Sequence, residues 1–198
     1  NAVYFNAPWA QAFVKNGTRD REFHLTAKDA VEVPTMFQQG EFAVVKADGY
    51  SAIRLPYGAG GLSMIVVRPD EIDGLDAVIK AFDGEKLDAL MTQLGKAPKK
   101  TVALSMPRFK TEFRAELIDP FKSLGMSKVF DPAQSDLSGL TGKPRAEAQS
   151  TIDQIVHRAV IDVAEAGTEA AAATAVVVTT RTMRPDDSDR FQVDRLTV

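Results

Sequence analysis

Residues 156–174 read V-H-R-A-V-I-D-V-A-E-A-G-T-E-A-A-A-A-T, and residues 175–182 continue A-V-V-V-T-T-R-T. An acidic residue and a glycine lead into small side chains that favour a helix, and then into valines and threonines that favour a strand. The segment from Glu165 to Thr182 therefore has no single local preference, which suits a part of the molecule that changes its conformation. It ends in Arg181-Thr182, a bond of the kind that a trypsin-like protease cuts.

A tract of small residues is more often a linker or a helix surface than a moving part. Here the seven residues 174–180 contain three valines and three threonines. Because β-branched side chains disfavour a helix, we do not expect a helix beyond Ala173.

The composition sets the class of protein. The chain has 198 residues, no cysteine and a formal net charge of −3, so it is long enough for one sizeable domain or two small ones. The charge gives no reason to expect a nucleic-acid partner, and no apolar run approaches the length of a membrane span. Without cysteine, the compartment cannot be inferred from redox chemistry. The opening residues 1–5 read as the middle of a strand, so we expect the natural N-terminus to lie upstream.

The spacing of apolar residues predicts a mixed α and β chain in which strands dominate. Strands are predicted at 31–36 and 41–46, joined by a tight turn at Gly40, at 52–55 and 62–67, joined as a hairpin, and at 102–106 and 155–163; helices are predicted around 75–82 and 87–94 and from Pro120 to Gly125, and a loop at 131–150. The second hairpin strand is apolar except for Ser63, so we expect it to be buried on both faces.

No pattern in the chain indicates catalysis. Gly58, Gly60 and Gly61 are interpreted as a hairpin turn, because no strand–glycine–helix context surrounds them. Nucleophile-elbow and H-E-x-x-H motifs are absent, and two histidines without cysteine make no zinc pattern. His157 interrupts an apolar run, so we expect a partly buried, hydrogen-bonded side chain. We therefore expect neither enzyme activity nor a cofactor.

Seven segments in order resemble the serpin family. They are N-A-V-Y-F, V-P-T-M-F, L-P-Y-G, L-S-M-I-V-V-R-P, M-P-R-F-K, L-G-M-S-K-V-F-D with D-L-S-G after it, and V-H-R-A-V-I-D-V-A-E-A-G-T-E-A-A-A-A-T. Each short string alone is weak, whereas the order, the spacing and the last segment are specific. The resemblance covers essentially the whole chain, but only the C-terminal half of a serpin.

The resemblance implies an α+β serpin fold. A large mixed β-sheet, additional sheets and peripheral helices are expected, with a reactive-centre loop between Glu165 and Phe191. Residues 1–198 would be part of a single serpin domain, whose N-terminal helices and last C-terminal strands lie outside this chain. We expect a monomer, with pairing to a second fragment of the same protein as the alternative, because strands without sheet partners are not stable alone.

The resemblance also implies the reactive bond. In inhibitory serpins the bait residue usually lies fourteen positions after the hinge glycine, and this count from Gly167 arrives at Arg181. Arg184 is the second choice, because the Pro185 that follows it would hinder cleavage. The expected partner is a trypsin-like serine protease that cuts Arg181-Thr182 and is trapped as an acyl-enzyme by loop insertion. No membrane or nucleic acid is expected as a partner.

The hinge implied by the family match begins before the alanine tract. Its residues are Glu165, Gly167, Thr168, Glu169, Ala170, Ala171, Ala172, Ala173 and Thr174. In the family pattern Thr168 and every second residue after it, to Val178, would face the core on insertion. None of these six side chains is charged, and burial of each valine would contribute about 1.5–3 kcal/mol. Glu169 would lie on the opposite face.

The resemblance implies two further functional regions of the serpin fold, assigned from the positions of residues in the matched segments. Asn1 and His157 match the shutter, where they would hydrogen-bond across the sheet that has to open. Glu165 would pair with Arg108, with Trp9 packed beside them, at the breach where insertion begins. The alternative for this ion pair is a surface contact of little energy.

Other functions stay open from the sequence. A non-inhibitory serpin, acting as a carrier or a chaperone-like protein, would have the same fold but would not trap a protease by loop insertion. An ordinary protease substrate or binding module is a second alternative. We expect an extracellular protein, with the cytoplasm as the alternative, and the composition, rich in alanine and aspartate, suggests a prokaryotic serpin.

Overall fold

The computed structural model describes residues 2–3, 5–58, 61–147, 150–168 and 189–197. In chain order the elements are β1 (Ala2–Val3), β2 (Ala7–Pro8), β3 (Arg19–His24), β4 (Ala30–Ala47), β5 (Tyr50–Pro56), β6 (Ser63–Pro69), α1 (Leu75–Ala81), α2 (Gly84–Lys96), β7 (Lys99–Pro107), β8 (Phe109–Glu116), α3 (Ile118–Ser123), a 3-10 helix (Lys128–Phe130), α4 (Ser138–Thr141), β9 (Val156–Ala164), β10 (Gly167–Thr168) and β11 (Asp189–Gln192). Two compact units form: a smaller one, Asn1–Tyr4 with Thr111–Ile161, and a larger one, Phe5–Lys110 with Asp162–Val198.

The larger unit is built around a six-stranded sheet in the order β11-β7-β4-β5-β6, with β3 also paired to β4. The long strand β4 organises this sheet, because it pairs antiparallel with β3, β5 and β7. β11 pairs in parallel with β7. The inward side chains of the central strands, among them Met36, Ile53 and Leu104, are completely buried and form the core.

The predicted tight turn at Gly40 is wrong. β4 runs without interruption from Ala30 to Ala47, and Gly40 pairs with Val102 of β7. A Cβ atom at Gly40 would lie 2.9 Å from Cδ of Gln11, and Nε2 of Gln11 donates a hydrogen bond of 2.7 Å to the carbonyl of Gln39. The end of the Gln11 side chain therefore lies against the strand backbone at this glycine.

The predicted hairpin and the first two helices are confirmed. β5 and β6 pair antiparallel along their whole length, and every residue of β6 is buried or half-buried. The apolar side chains of the helices that face the sheet, Val78, Leu90 and Leu94, pack in one cluster with buried residues of the strands. The side chain of Asp83 caps α2 by accepting a hydrogen bond of 2.8 Å from the backbone N–H of Lys86.

The smaller unit contains the first part of β9 and its neighbours. β1 lies parallel to β9, with Ala2 beside Arg158 and Val3 beside Ala159, and β8 also pairs with β9. The Arg158 guanidinium is 2.7 Å from the carboxylate of Glu112 on β8. The predicted strand at 155–163 is thus confirmed.

The third helix starts slightly earlier than predicted. α3 begins at Ile118, so that Pro120 lies in its first turn, where a missing N–H breaks no helical hydrogen bond. Gly125, with a φ of 94°, follows the end of α3 as predicted. The predicted loop at 131–150 contains the short helix α4. None of the helices in the described ranges is long and apolar enough to cross a membrane.

Candidate functional site

The candidate site lies where β9 ends and the chain turns back. After Ala164 the backbone reverses through Glu165 and Ala166 into β10, which pairs antiparallel with both β9 and β2. The paired residues are Gly167↔Ala164 and Thr168↔Val163 on one edge, and Gly167↔Pro8 and Thr168↔Ala7 on the other. The first two residues after the turn are therefore already strand residues with a neighbour on each side.

Gly167 allows β2 to approach this closely. It is buried, and a Cβ atom there would lie 2.7 Å from Cα of Pro8 and would overlap the carbonyl of Ala7. Any side chain at this position would push β2 away from β10. The reason for glycine here is steric contact with a neighbouring strand, which is not visible in the local sequence.

Glu165 in the turn is held by three groups. Its carboxylate accepts a hydrogen bond of 2.6 Å from the hydroxyl of Thr18, and lies 4.0 Å from the guanidinium of Arg108. Its backbone carbonyl accepts a hydrogen bond of 2.9 Å from the N–H of Phe13. The Glu165 side chain is 15% exposed and that of Arg108 is 53% exposed. Since an exposed ion pair at the distance limit contributes little, Thr18 is the stronger partner of the carboxylate.

Trp9 holds the backbone on both sides of Glu165. Its indole N–H donates a hydrogen bond of 2.9 Å to the carbonyl of Ala164, and its backbone N–H donates one of 3.0 Å to the carbonyl of Ala166. The indole is buried and stacks on the ring of Tyr57, with ring centroids 4.5 Å apart and an interplanar angle of 9°. Trp9 therefore contacts the backbone of the turn at two points.

Tyr57 contacts Thr168, the residue directly after Gly167. Its hydroxyl and that of Thr168 are 2.7 Å apart and share a hydrogen bond. Both side chains are buried, with exposures of 7% for Tyr57 and 1% for Thr168. Burial raises the pKa of the Tyr57 phenol, and the hydrogen bond with Thr168 opposes this in part.

Three predicted site residues are brought together here. Trp9, Arg108 and Glu165, predicted for the breach, lie around one turn, with Gly167 and Thr168, predicted for the hinge, directly after it. Sequence reasoning missed Thr18 and Tyr57. Thr18 lies outside every motif of the serpin match, so no sequence pattern pointed to it. Tyr57 lies within L-P-Y-G, which was interpreted only as part of the serpin match and of a turn.

His157 lies on β9 in the smaller unit. It is half-buried, as expected from the apolar run around it, and its ring centroid is 6.3 Å from that of Phe113. The other shutter residue, Asn1, lies outside the described residues. The shutter role of the pair therefore stays a prediction.

The remaining predicted residues also lie outside the described part of the chain. They are the hinge residues Glu169, Ala170, Ala171, Ala172, Ala173 and Thr174, and the reactive bond Arg181-Thr182. Among the residues that are described, no cluster of three or more histidines and carboxylates could hold a metal ion. Phe191, at the expected end of the loop, lies buried in β11.

Comparison with known proteins identifies relatives of the whole chain. The family model "Serpin (serine protease inhibitor)" matches residues 1–195. The chain is 35% identical over 176 residues to a serine protease inhibitor of Cyanea capillata, and the match covers 88% of this chain and 45% of that protein. The chain spans about half the length of the curated relatives it matches.

Two solved structures share the fold. Uncleaved ovalbumin matches with a TM-score of 0.78 and 27% identity over 100% of this chain and 49% of its own. A loop-inserted structure of a cleaved ovalbumin mutant matches with a TM-score of 0.72 and 29% identity over 83% of this chain and 42% of its own. The likeness thus extends over more of this chain in the uncleaved protein.

Proposed function

Because the chain belongs to the serpin family, we propose that it is part of a serine protease inhibitor that acts as a suicide substrate. In this proposal a trypsin-like protease attacks the Arg181-Thr182 bond, and its serine forms an acyl-enzyme with Arg181. The cut loop then enters a β-sheet as an added strand and carries the protease with it before the ester is hydrolysed. The protein contributes no catalytic group of its own.

The arrangement of β10 is the observation that carries this proposal. Gly167 and Thr168 are paired on both edges, and β10 runs antiparallel to β9. A strand that continued from Thr168 in the same direction would follow β9 back along its length. This direction of β10 supports the proposed insertion, in which the chain after Thr168 would enter the sheet alongside β9.

Insertion along β9 also requires a partner strand to move. In the smaller unit, β1 pairs directly with β9 at Ala2–Val3, and Glu112 of β8 lies against Arg158 on the same strand. Because directly paired strands leave no room for a third between them, an inserting strand would have to separate β1 from β9. The proposal therefore includes a sheet that opens on cleavage and gains hydrogen bonds when the loop enters.

The sequence of the loop fits this task. The side chains at every second position after Thr168 are small or β-branched and uncharged as far as Val178. A serpin that does not insert its loop would tolerate proline or bulky charged residues there. We also propose that residues 1–198 belong to one serpin domain, present as a monomer in the whole protein.

The test mixes the full-length protein with trypsin. We expect a covalent 1:1 complex that survives denaturation, together with loss of trypsin activity, and a large rise in the unfolding temperature of the cleaved inhibitor. A non-inhibitory serpin with a carrier or chaperone-like role would instead be cut cleanly while trypsin stays active. An ordinary substrate would be cut without any gain in thermal stability.

A further inference from the structure

A buried hydrogen bond joins the body of the larger unit to the first residue after the hinge glycine. The Tyr57 and Thr168 hydroxyls are 2.7 Å apart and 111 positions apart in the chain. Both residues are buried, with exposures of 7% for Tyr57 and 1% for Thr168. Loss of one hydroxyl would therefore leave the other buried without its partner.

The position of the Tyr57 hydroxyl is itself fixed by neighbouring rings. The phenol stacks on Trp9 at 4.5 Å and meets the edge of Phe5 at 4.9 Å, with an interplanar angle of 68°. The Tyr57 backbone N–H donates a hydrogen bond of 3.0 Å to the carbonyl of Leu62. A tyrosine side chain held in this way places its hydroxyl at one point in space.

That point decides which residues of an inserting strand face the interior. Side chains alternate along a strand, so a shift of one residue exchanges the two faces. In a strand inserted with Thr168 at the Tyr57 hydroxyl, the uncharged side chains of the alternate positions would face inward. A shift of one residue would place Glu169 there, and burial of an unpaired carboxylate is strongly unfavourable. Of residues 167–170, only Thr168 carries a hydroxyl that can make the bond.

We propose that Tyr57 is a positioning residue that selects the register in which the loop enters the sheet, by hydrogen-bonding Thr168. This inference rests on the proposed function, since it concerns the loop-insertion step of the proposed inhibition mechanism. In the absence of the bond, insertion begins less often from the productive register. More acyl-enzyme is then hydrolysed before the protease is displaced, and more inhibitor is consumed for each protease trapped.

The experiment uses Tyr57→Phe, which keeps the stacked ring, Thr168→Val, which keeps the side-chain shape, and the double variant, all in the full-length protein. We expect each single substitution to raise the number of acyl-enzymes hydrolysed for each protease trapped, which is the stoichiometry of trypsin inhibition minus one, by about three- to tenfold, the range that one hydrogen bond supplies. The double variant should show no further increase, because both changes remove the same interaction. Tyr50→Phe, whose ring packs against Phe82 elsewhere in the unit, is the matched control and should leave the stoichiometry unchanged.

A second readout separates register selection from general loss of structure. The rate constant for the first encounter with trypsin, corrected for stoichiometry, should stay at the unsubstituted value in all variants. If the unsubstituted protein traps trypsin and Tyr57→Phe leaves the stoichiometry unchanged, the inference is wrong and the proposed function stands. Additive effects of the two single substitutions would also overturn it. If the unsubstituted protein forms no covalent complex, the proposed function itself fails.

Discussion

Thr18 donates a hydrogen bond of 2.6 Å to the carboxylate of Glu165, a residue 147 positions further along the chain. The carboxylate is mostly buried, and its ion pair with Arg108 is longer, at 4.0 Å, with a half-exposed guanidinium. Of the two side-chain contacts of the Glu165 carboxylate, the closer one is thus made by a neutral donor. The ion pair suggested by the family match is the weaker of the two.

Thr18→Val is expected to lower the free energy of unfolding by about 1–3 kcal/mol, because it leaves a mostly buried carboxylate oxygen without its donor. Arg108→Ala should lower it by no more than about 1 kcal/mol, since exposed ion pairs contribute little. Denaturant unfolding of the two variants measures both values. A larger loss for Arg108→Ala than for Thr18→Val would contradict this order.

Gly167→Ala is expected to be destabilising, because the added methyl group would overlap the backbone of Ala7 and Pro8. Overpacking of this kind costs about 1–3 kcal/mol. Gly95→Ala is the matched control: Gly95 lies in α2, and an added Cβ there meets no atom within 4 Å. Alanine in that helix should be neutral or stabilising. Equal unfolding midpoints for the two variants would argue against close packing of β2 on β10.

Arg181→Ala is expected to reduce inhibition of trypsin by at least about a hundredfold. The substituted inhibitor no longer carries the positive charge that the specificity pocket of trypsin binds. Arg184→Ala should leave inhibition close to that of the unsubstituted protein. Second-order inhibition constants and the N-terminal sequence of the released fragment distinguish the two bonds. Release of a fragment that begins at Pro185 would move the reactive bond to Arg184.

The pH dependence of stability should report on Tyr57. Burial raises the pKa of its phenol above the ordinary value of 10.0, so the folded state holds this proton more tightly than the unfolded state does. The stabilisation is therefore fully present below pH 10.0 and is lost as the pH rises through the higher folded pKa. Unfolding of the unsubstituted protein and of Tyr57→Phe, compared on both sides of this pH, should show a steeper alkaline loss in the former. Parallel curves would contradict a buried, protonated phenol.

Regular elements with strong periodicity could be predicted from the sequence. The hairpin of β5 and β6 and the helices α1 and α2 follow from alternation and helical spacing, because these patterns reflect one buried face. Gly40 shows where such reasoning fails. A glycine between two apolar runs indicates a turn locally, whereas Gln11, distant in sequence, lies against this backbone in the fold.

Some residues of the candidate site could likewise be predicted from the sequence, and others could not. The order of the serpin-like segments and the E-A-G-T hinge are sufficient to indicate the family and to point to Glu165, Trp9 and Arg108. These residues lie within or beside matched motifs, so their position relative to the motif identifies them. Thr18 and Tyr57 could not be assigned roles in this way. Their hydroxyl groups make these hydrogen bonds only because folding places each of them beside a partner that is distant in sequence.

The sequence by itself therefore determined the family, the hairpin of β5 and β6, the helices α1 and α2, and the arginine expected at the reactive bond. These depend on residue order and local periodicity. Only the tertiary structure decided that Thr18 holds Glu165 more closely than Arg108 does, and that Tyr57 meets Thr168 inside the larger unit. Both contacts join residues more than a hundred positions apart, and such contacts are made by packing, which no local pattern encodes.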